Sequence, residues 1–299
     1  MDYKNIIPFL VMPLFLIAVE IGAILLVRPV QAAGITAFED PTSLVNPFIF
    51  IVLLLLFTVF LLLLIKYGKK KWIGVIIALS FFLTFVYIFM ALVYVITIDS
   101  NLAIFLILTL SILATVILFK YPEWYVIDGL GILIAAGVAA IFGSSLEYYL
   151  VVLLLALLAV YDAISVYKTK HMITLAEGII DLKTPILFVI PKKRGYSFIH
   201  DGIGKLDDGG ERSAFIIGMG DLIMPSILVV SANVFTSLSG YRLFGMINIP
   251  ALGAIIGSFA GLGILLYFVA SGRPQAGLPP LNGGTILGFL VGWALVGFA

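Results

Sequence analysis

Two aspartates, Asp162 and Asp221, stand inside long apolar stretches of this sequence. A carboxylate in the middle of a membrane-spanning helix costs about 2.5–3.5 kcal/mol, so each needs a reason to be there. Two carboxyl groups facing each other in a dry site cannot both ionise cheaply, and one shared proton leaves a base beside an acid. Such a pair can take a proton from water while it polarises a carbonyl, which is the chemistry of amide hydrolysis. It can equally pass a proton or cation through a membrane. Zinc and serine chemistry fit badly, because the two histidines, His171 and His200, lie in a polar stretch with no HExxH pattern and no serine–histidine pair in the apolar segments. There is no cysteine, which excludes disulfides and thiolate metal sites. No metal or cofactor is expected.

The elements that must position these residues are helices in lipid. Hydrophobic residues make up 63% of the 299 and charged residues 11%, against about 25% charged in a soluble domain, and mean hydropathy is +1.23. The chain cannot cover its own surface with polar groups. A net charge of +1 gives no basic field for nucleic acid. Nine stretches reach the roughly 20 apolar residues that span hydrocarbon: 6–27, 46–65, 72–97, 102–119, 124–142, 146–167, 213–235, 246–270 and 281–299. Their uninterrupted apolar character favours helices over the alternating strands of a barrel. The expected organisation is six helices in 1–167, a loop at 168–212 and three helices in 213–299.

Basic residues concentrate in cytoplasmic loops. When the nine stretches alternate sides, only Arg28 and Arg242 of the 17 basic residues fall on one side. The expected protein is therefore multi-pass in the cell membrane, with the N-terminus and the 168–212 loop cytoplasmic and the C-terminus outside. Lys69-Lys70-Lys71 reads as a topology anchor. By helix rise, Asp162 lies about 9 Å from the cytoplasmic end of the sixth stretch, and Asp221 about 14 Å from the start of the seventh at Arg212. The two stretches run antiparallel, so the aspartates can face each other at similar depth. Of the other acidic residues in the spans, Glu147 sits at an outer edge, Asp128 reads as interfacial, and Glu20 reads as a hydrogen-bonding partner for a neighbouring helix near the outer face.

The residues around the pair resemble a known family. Tyr161-Asp162 and Gly218-Met219-Gly220-Asp221 look like the YD and GxGD motifs of the presenilin and signal peptide peptidase family of intramembrane aspartyl proteases. Its third motif, Pro-Ala-Leu at the opening of the ninth helix, stands here as Pro279-Pro280-Leu281, departing at the middle residue. The compact size and the segment from Asp181 to Pro191 look like an archaeal homologue. The resemblance implies an all-α, nine-helix, presenilin-like fold and an enzyme that hydrolyses peptide bonds within transmembrane segments of other membrane proteins. It implies Asp162 and Asp221 as catalytic residues, with Tyr161, Gly218, Gly220, Pro279 and Leu281 shaping the site or binding substrate. The charge bias matches the presenilin orientation, which implies substrates with their N-terminus outside. The competing reading is a proton- or cation-coupled transporter, which predicts broken helices in paired repeats near the midplane; no internal repeat is evident.

Three further features are informative. Gly218 and Gly220 let the seventh helix approach a neighbour or a substrate backbone. Ile186 to Ile190, closed by Pro191, reads either as an apolar segment in the membrane interface or as a strand that pairs with an unwound substrate. Gly253, Gly257 and Gly261, with Gly284, Gly288 and Gly292, form four-residue ridges that pack helices or mediate a homo-oligomer. The remaining partners are the lipid bilayer and substrate transmembrane helices.

Overall fold

A computed structural model of the chain describes residues 3–67, 70–96, 99–168, 187–192, 195–202, 214–236, 241–269 and 275–297. Among the described residues are nine apolar helices: α1 (Tyr3–Ala32), α2 (Val45–Tyr67), α3 (Lys70–Ile96), α4 (Ser100–Lys120), α5 (Trp124–Gly143), α6 (Tyr148–Ala163), α7 (Met219–Phe235), α8 (Ile249–Val269) and α9 (Leu278–Gly297). Eight are long and apolar enough to cross a membrane, and α7 is shorter. Two antiparallel strands, β1 (Leu187–Pro191) and β2 (Ala214–Gly218), lie between α6 and α7, and a small hairpin, β3 (Arg242–Leu243) and β4 (Ile247–Asn248), joins α7 to α8.

The seventh apolar stretch therefore differs from expectation. Residues 214–218 form a strand, and the helix begins only at Met219. An apolar run with Phe215-Ile216-Ile217 at its head carries no period that separates strand from helix. The strand-like reading of 186–190 holds for 187–190, which run on into Pro191, but the partner is β2 of the same chain. Leu187 pairs with Gly218, Val189 with Ile216 and Pro191 with Ala214.

Lipid is the outer solvent, and the packing shows it. Leu53, Leu56, Val59 and Leu63 of α2 are all more than half exposed, as are Ile104, Phe105 and Ile112 of α4. The interior is built around α7, which contacts α1, α5, α6, α8 and α9. Ile227, Leu228, Val229, Val230 and Ala232 of α7 are fully buried. Several polar groups inside are paired with backbone from a neighbouring segment, as a water-free interior favours. Ser231 donates to the Leu146 carbonyl at 2.6 Å. Asn248 ties the end of α7 to the start of α8: its Nδ2 donates to the Ala232 carbonyl at 2.9 Å, and its backbone amide donates to Asn233 Oδ1 at 3.0 Å.

Helices α8 and α9 make backbone contact between Ile249 and Gly261 on one side and Pro280 and Gly292 on the other. The two glycine ridges face each other: a methyl group on Gly257 would fall on the Gly284 carbonyl, and one on Gly288 would fall on the Gly253 carbonyl. The ridges thus pack within one chain. This contact predicts that Gly257→Leu lowers stability by about 1–3 kcal/mol or more, the cost of forcing volume into a closed contact. Thermal unfolding in detergent reads the loss, and Gly263→Leu, whose added atoms meet open space, should leave the transition unchanged.

Candidate active site

The site forms where three chain segments depart from regular α-helix at one end of the bundle. The first is the end of α6. Asp162 is buried there, 6% exposed, and directly after it the helix widens into a π-helical turn, Ile164–Lys168. Such turns interrupt the regular ladder and often mark functional positions. Ser165 donates to the Asp162 backbone carbonyl at 3.0 Å, closing one gap. Tyr161 is half-buried; one residue along a helix turns about 100°, so its side chain leaves α6 in a different direction from the Asp162 carboxyl.

The second segment is the junction of β2 and α7. Gly218 is the N-cap of α7 in extended backbone (φ −65°, ψ 137°), so the GxGD motif straddles a strand and a helix. Asp221 occupies the third helical position. A carboxylate there can reach back to the amide of the N-cap residue, and the position a Gly218 Cβ would take is 3.4 Å from Asp221 Oδ2. Gly220 is exposed, with nothing within 4 Å of the place a Cβ would fill. Neither glycine serves helix–helix packing. They leave room beside Asp221. Pro225, inside α7, has no N–H to bond the Asp221 carbonyl four residues back, which loosens the helix at that residue.

The third segment is the turn into α9. Leu278 is the first residue of the helix, and the next two are Pro279 and Pro280. A helix start leaves several N–H groups without intrahelical acceptors, and two prolines remove two of them. The remaining Leu278 N–H donates to Asp162 Oδ2 at 3.0 Å. Gly277, one residue earlier, lies against the other aspartate: a Cβ there would sit 2.8 Å from Asp221 Oδ2 and 3.1 Å from Oδ1. Asp162 and Asp221 thus converge on the same two-residue turn. A second strut holds that turn, because Tyr167 donates to Gln275 Oε1 at 2.8 Å and accepts from the Ala276 N–H at 3.3 Å. Leu281 is 1% exposed and belongs to the hydrophobic core. The prolines shape the turn, and the groups touching the carboxyls are Gly277 and the Leu278 amide. Sequence reasoning missed both; the signal was a glycine and a leucine directly before a double proline.

The two other buried acids separate. Glu20 accepts from Ser258 of α8 at 2.7 Å, as expected of a partner for a neighbouring helix. Asp128 is not interfacial. It is 4% exposed, and its Oδ1 accepts from the Val189 amide at 2.8 Å. On the loop side, Glu123 accepts from Ser197 Oγ at 2.6 Å and from the Phe198 N–H at 3.0 Å. Tyr196 donates to the Gly202 carbonyl at 2.8 Å. Burial, reinforced by Asp201, Glu123 and Asp128, pushes its hydroxyl up to about 12, so it keeps its proton. Among the described residues no cluster of three or more His, Cys, Asp or Glu is placed to hold a metal ion. His171, Lys205 and Asp181–Ile186 lie outside the described residues.

Comparison with known proteins shows the family of the chain. The family described as "Signal-peptide peptidase, presenilin aspartyl protease" matches residues 12–298. A solved structure of a presenilin family intramembrane aspartate protease in space group C222 is 48% identical, covering 97% of this chain and 98% of its own, with a TM-score of 0.69. A second, in space group P2, is 50% identical, covering 96% and 98%, with a TM-score of 0.70. No curated protein matches. With nearly the whole chain inside the family match, this protein belongs to the signal-peptide peptidase and presenilin family of aspartyl proteases.

Proposed function

We infer that this membrane protein is an intramembrane aspartyl protease that hydrolyses peptide bonds within transmembrane segments, with Asp162 and Asp221 as the catalytic pair. The observation that carries the reading is the convergence of both carboxyls on the Gly277–Leu278 turn. Two carboxyl groups held by one rigid turn share a proton: the ionised one takes a proton from water, and the protonated one donates to the scissile carbonyl. Gly218 and Gly220 leave space for the substrate backbone. Tyr161, Pro279 and Leu281 act through the shape of the helix ends. Nothing in the fold favours a transporter: the irregular segments gather at one end of the bundle and are not paired across repeats.

The charge bias supports a cytoplasmic N-terminus and 168–212 loop, with the C-terminus outside, and so substrates whose N-terminus is outside. A homo-oligomer gains no support from the glycine ridges, which are occupied by the α8–α9 contact.

A helix hides its amides, so a substrate must unwind before hydrolysis, and a free strand edge is a natural template for the opened chain. Among the described residues, the free edge belongs to β2. Val189 turns its N–H away from β2 towards Asp128, so its partner Ile216 also turns its own N–H and C=O outward. That edge leads through Gly218 to Asp221. A substrate strand laid along it arrives at the carboxyl pair.

Three outcomes test this reading on purified protein in detergent with a reporter transmembrane peptide. Asp162→Ala and Asp221→Ala should each lower cleavage by more than about 100-fold; cleavage surviving either change refutes the pair, and proton-driven flux in liposomes without proteolysis would favour the transporter. Gly277→Ala drives a methyl group into the Asp221 carboxyl and should lower kcat by about 10- to 100-fold with an unchanged unfolding temperature. Ile216→Pro deletes an outward amide that β1 does not use, and should lower cleavage by about tenfold, the worth of one or two backbone hydrogen bonds. An unchanged rate would remove β2 as the substrate edge.

A further inference from the structure

Asp128 lies on α5, outside the carboxyl pair, and the proteolytic mechanism has no chemical use for it. Its position is nonetheless costly, since it stands four residues inside a membrane-spanning helix and is 4% exposed. Its Oδ2 meets no hydrogen-bond partner among the described residues. Its Oδ1 accepts from one group, the Val189 amide at the centre of β1. Val189 is the one residue of β1 whose N–H can be seen to leave the β1–β2 ladder for another element, and a buried amide without a partner is expensive.

The β1–β2 pair needs such an anchor. A two-stranded hairpin is marginally stable by itself, and this one leads directly into α7 through Gly218, an N-cap glycine in extended backbone. With no side chain at Gly218, the direction of the strands against α7 is left to other contacts. The same helix holds the connection beyond β1: Glu123, the N-cap residue of α5, receives the Ser197 hydroxyl and the Phe198 amide. Farther along α5, a Cβ on Gly131 would sit 2.8 Å from Met219 Cε and 3.0 Å from the Phe188 ring, so the helix also abuts both β1 and the first residue of α7. One rigid helix thus fixes the hairpin at the strand, at the loop beyond it and at its junction with α7.

We propose that Asp128 is a positioning residue that fixes, through the Val189 amide, the direction of the β2 edge and hence which peptide bond of the substrate reaches Asp162 and Asp221. The proposal rests on the proteolytic reading above. Side chains alternate along a strand, so a displaced edge offers a neighbouring bond to the same carboxyls.

The experiment is mass spectrometry of the products from one reporter transmembrane peptide, with wild type, Asp128→Asn, Asp128→Leu and Val189→Pro compared at equal turnover. Asn keeps the acceptor for Val189, Leu keeps the shape without it, and Pro deletes the amide from the other side. Asp128→Leu and Val189→Pro should each lower the share of cleavage at the dominant bond by at least about twofold, with neighbouring bonds gaining; Asp128→Asn should keep the wild-type pattern. A role in stability alone would scale all products together. An unchanged pattern in whichever of Asp128→Leu and Val189→Pro still folds overturns the proposal, as does a pattern in Asp128→Asn as spread as in Asp128→Leu. If both fail to fold, the wild-type pattern in Asp128→Asn with an Asp128→Ser pattern equally unchanged overturns it. Absence of cleavage by the wild type overturns the proteolytic reading itself.

Discussion

A backbone amide inside a bilayer must be hydrogen-bonded by protein, because hydrocarbon offers no acceptor. That constraint organises the site. Regular α-helix is broken at the end of α6, at the start of α7 and at the start of α9, and each break frees backbone groups. The Leu278 N–H is bonded by the Asp162 carboxyl. The double proline behind it removes donors that would otherwise compete. The carboxyl and the broken helix start need each other: without the amide the carboxyl would be an unsatisfied polar group in an apolar interior, and without the carboxyl the amide would be.

The same rule explains how an interior so rich in irregular backbone stays compact. The α8–α9 contact is glycine on glycine, which brings the helices close enough that Pro280 and Leu281 lie against Gly261. The turn into α9 is thereby pressed onto the bundle. The outward faces carry leucine, isoleucine and phenylalanine in number because lipid is as apolar as they are. Packing specificity in this protein therefore resides in small residues and buried polar bonds such as Asn248 to Ala232 and Ser231 to Leu146, while the large apolar side chains on α2 and α4 face the bilayer.

The sequence shows some of this plainly and hides the rest for physical reasons. The two aspartates are legible because a carboxylate among leucines is an anomaly at any window length. The helix count is legible because span length is set by bilayer thickness. The start of α7 is not, since Ala214-Phe215-Ile216-Ile217 suits a buried strand and a buried helix equally. The depth reasoning that placed Asp221 a fixed helical rise beyond Arg212 therefore used the wrong geometry, although its conclusion, that the aspartates approach each other, agrees with the shared turn. Gly277 and the Leu278 amide are hidden more deeply. Every residue but proline has an amide, and only the fold shows which one meets a carboxyl. The distance of Asp128 from the helix end suggests water, whereas a strand residue 61 positions later covers it.

That strand gives the structure its final logic. An enzyme that cuts helices in lipid must supply the hydrogen bonds an unwound segment loses, and must do so where no water competes. In the proposed reading the β1–β2 hairpin does this: Asp128 bonds the Val189 amide on one edge, and the other edge runs into the residues that carry Asp221. Had α7 continued as a helix through residues 214–218, its own ladder would have consumed those amides, and Asp221 would stand in the middle of a closed helix with no edge beside it. The shortness of α7 is thus the condition for the site. A turn and a half of helix is given up so that a backbone edge and a carboxyl occupy the same place.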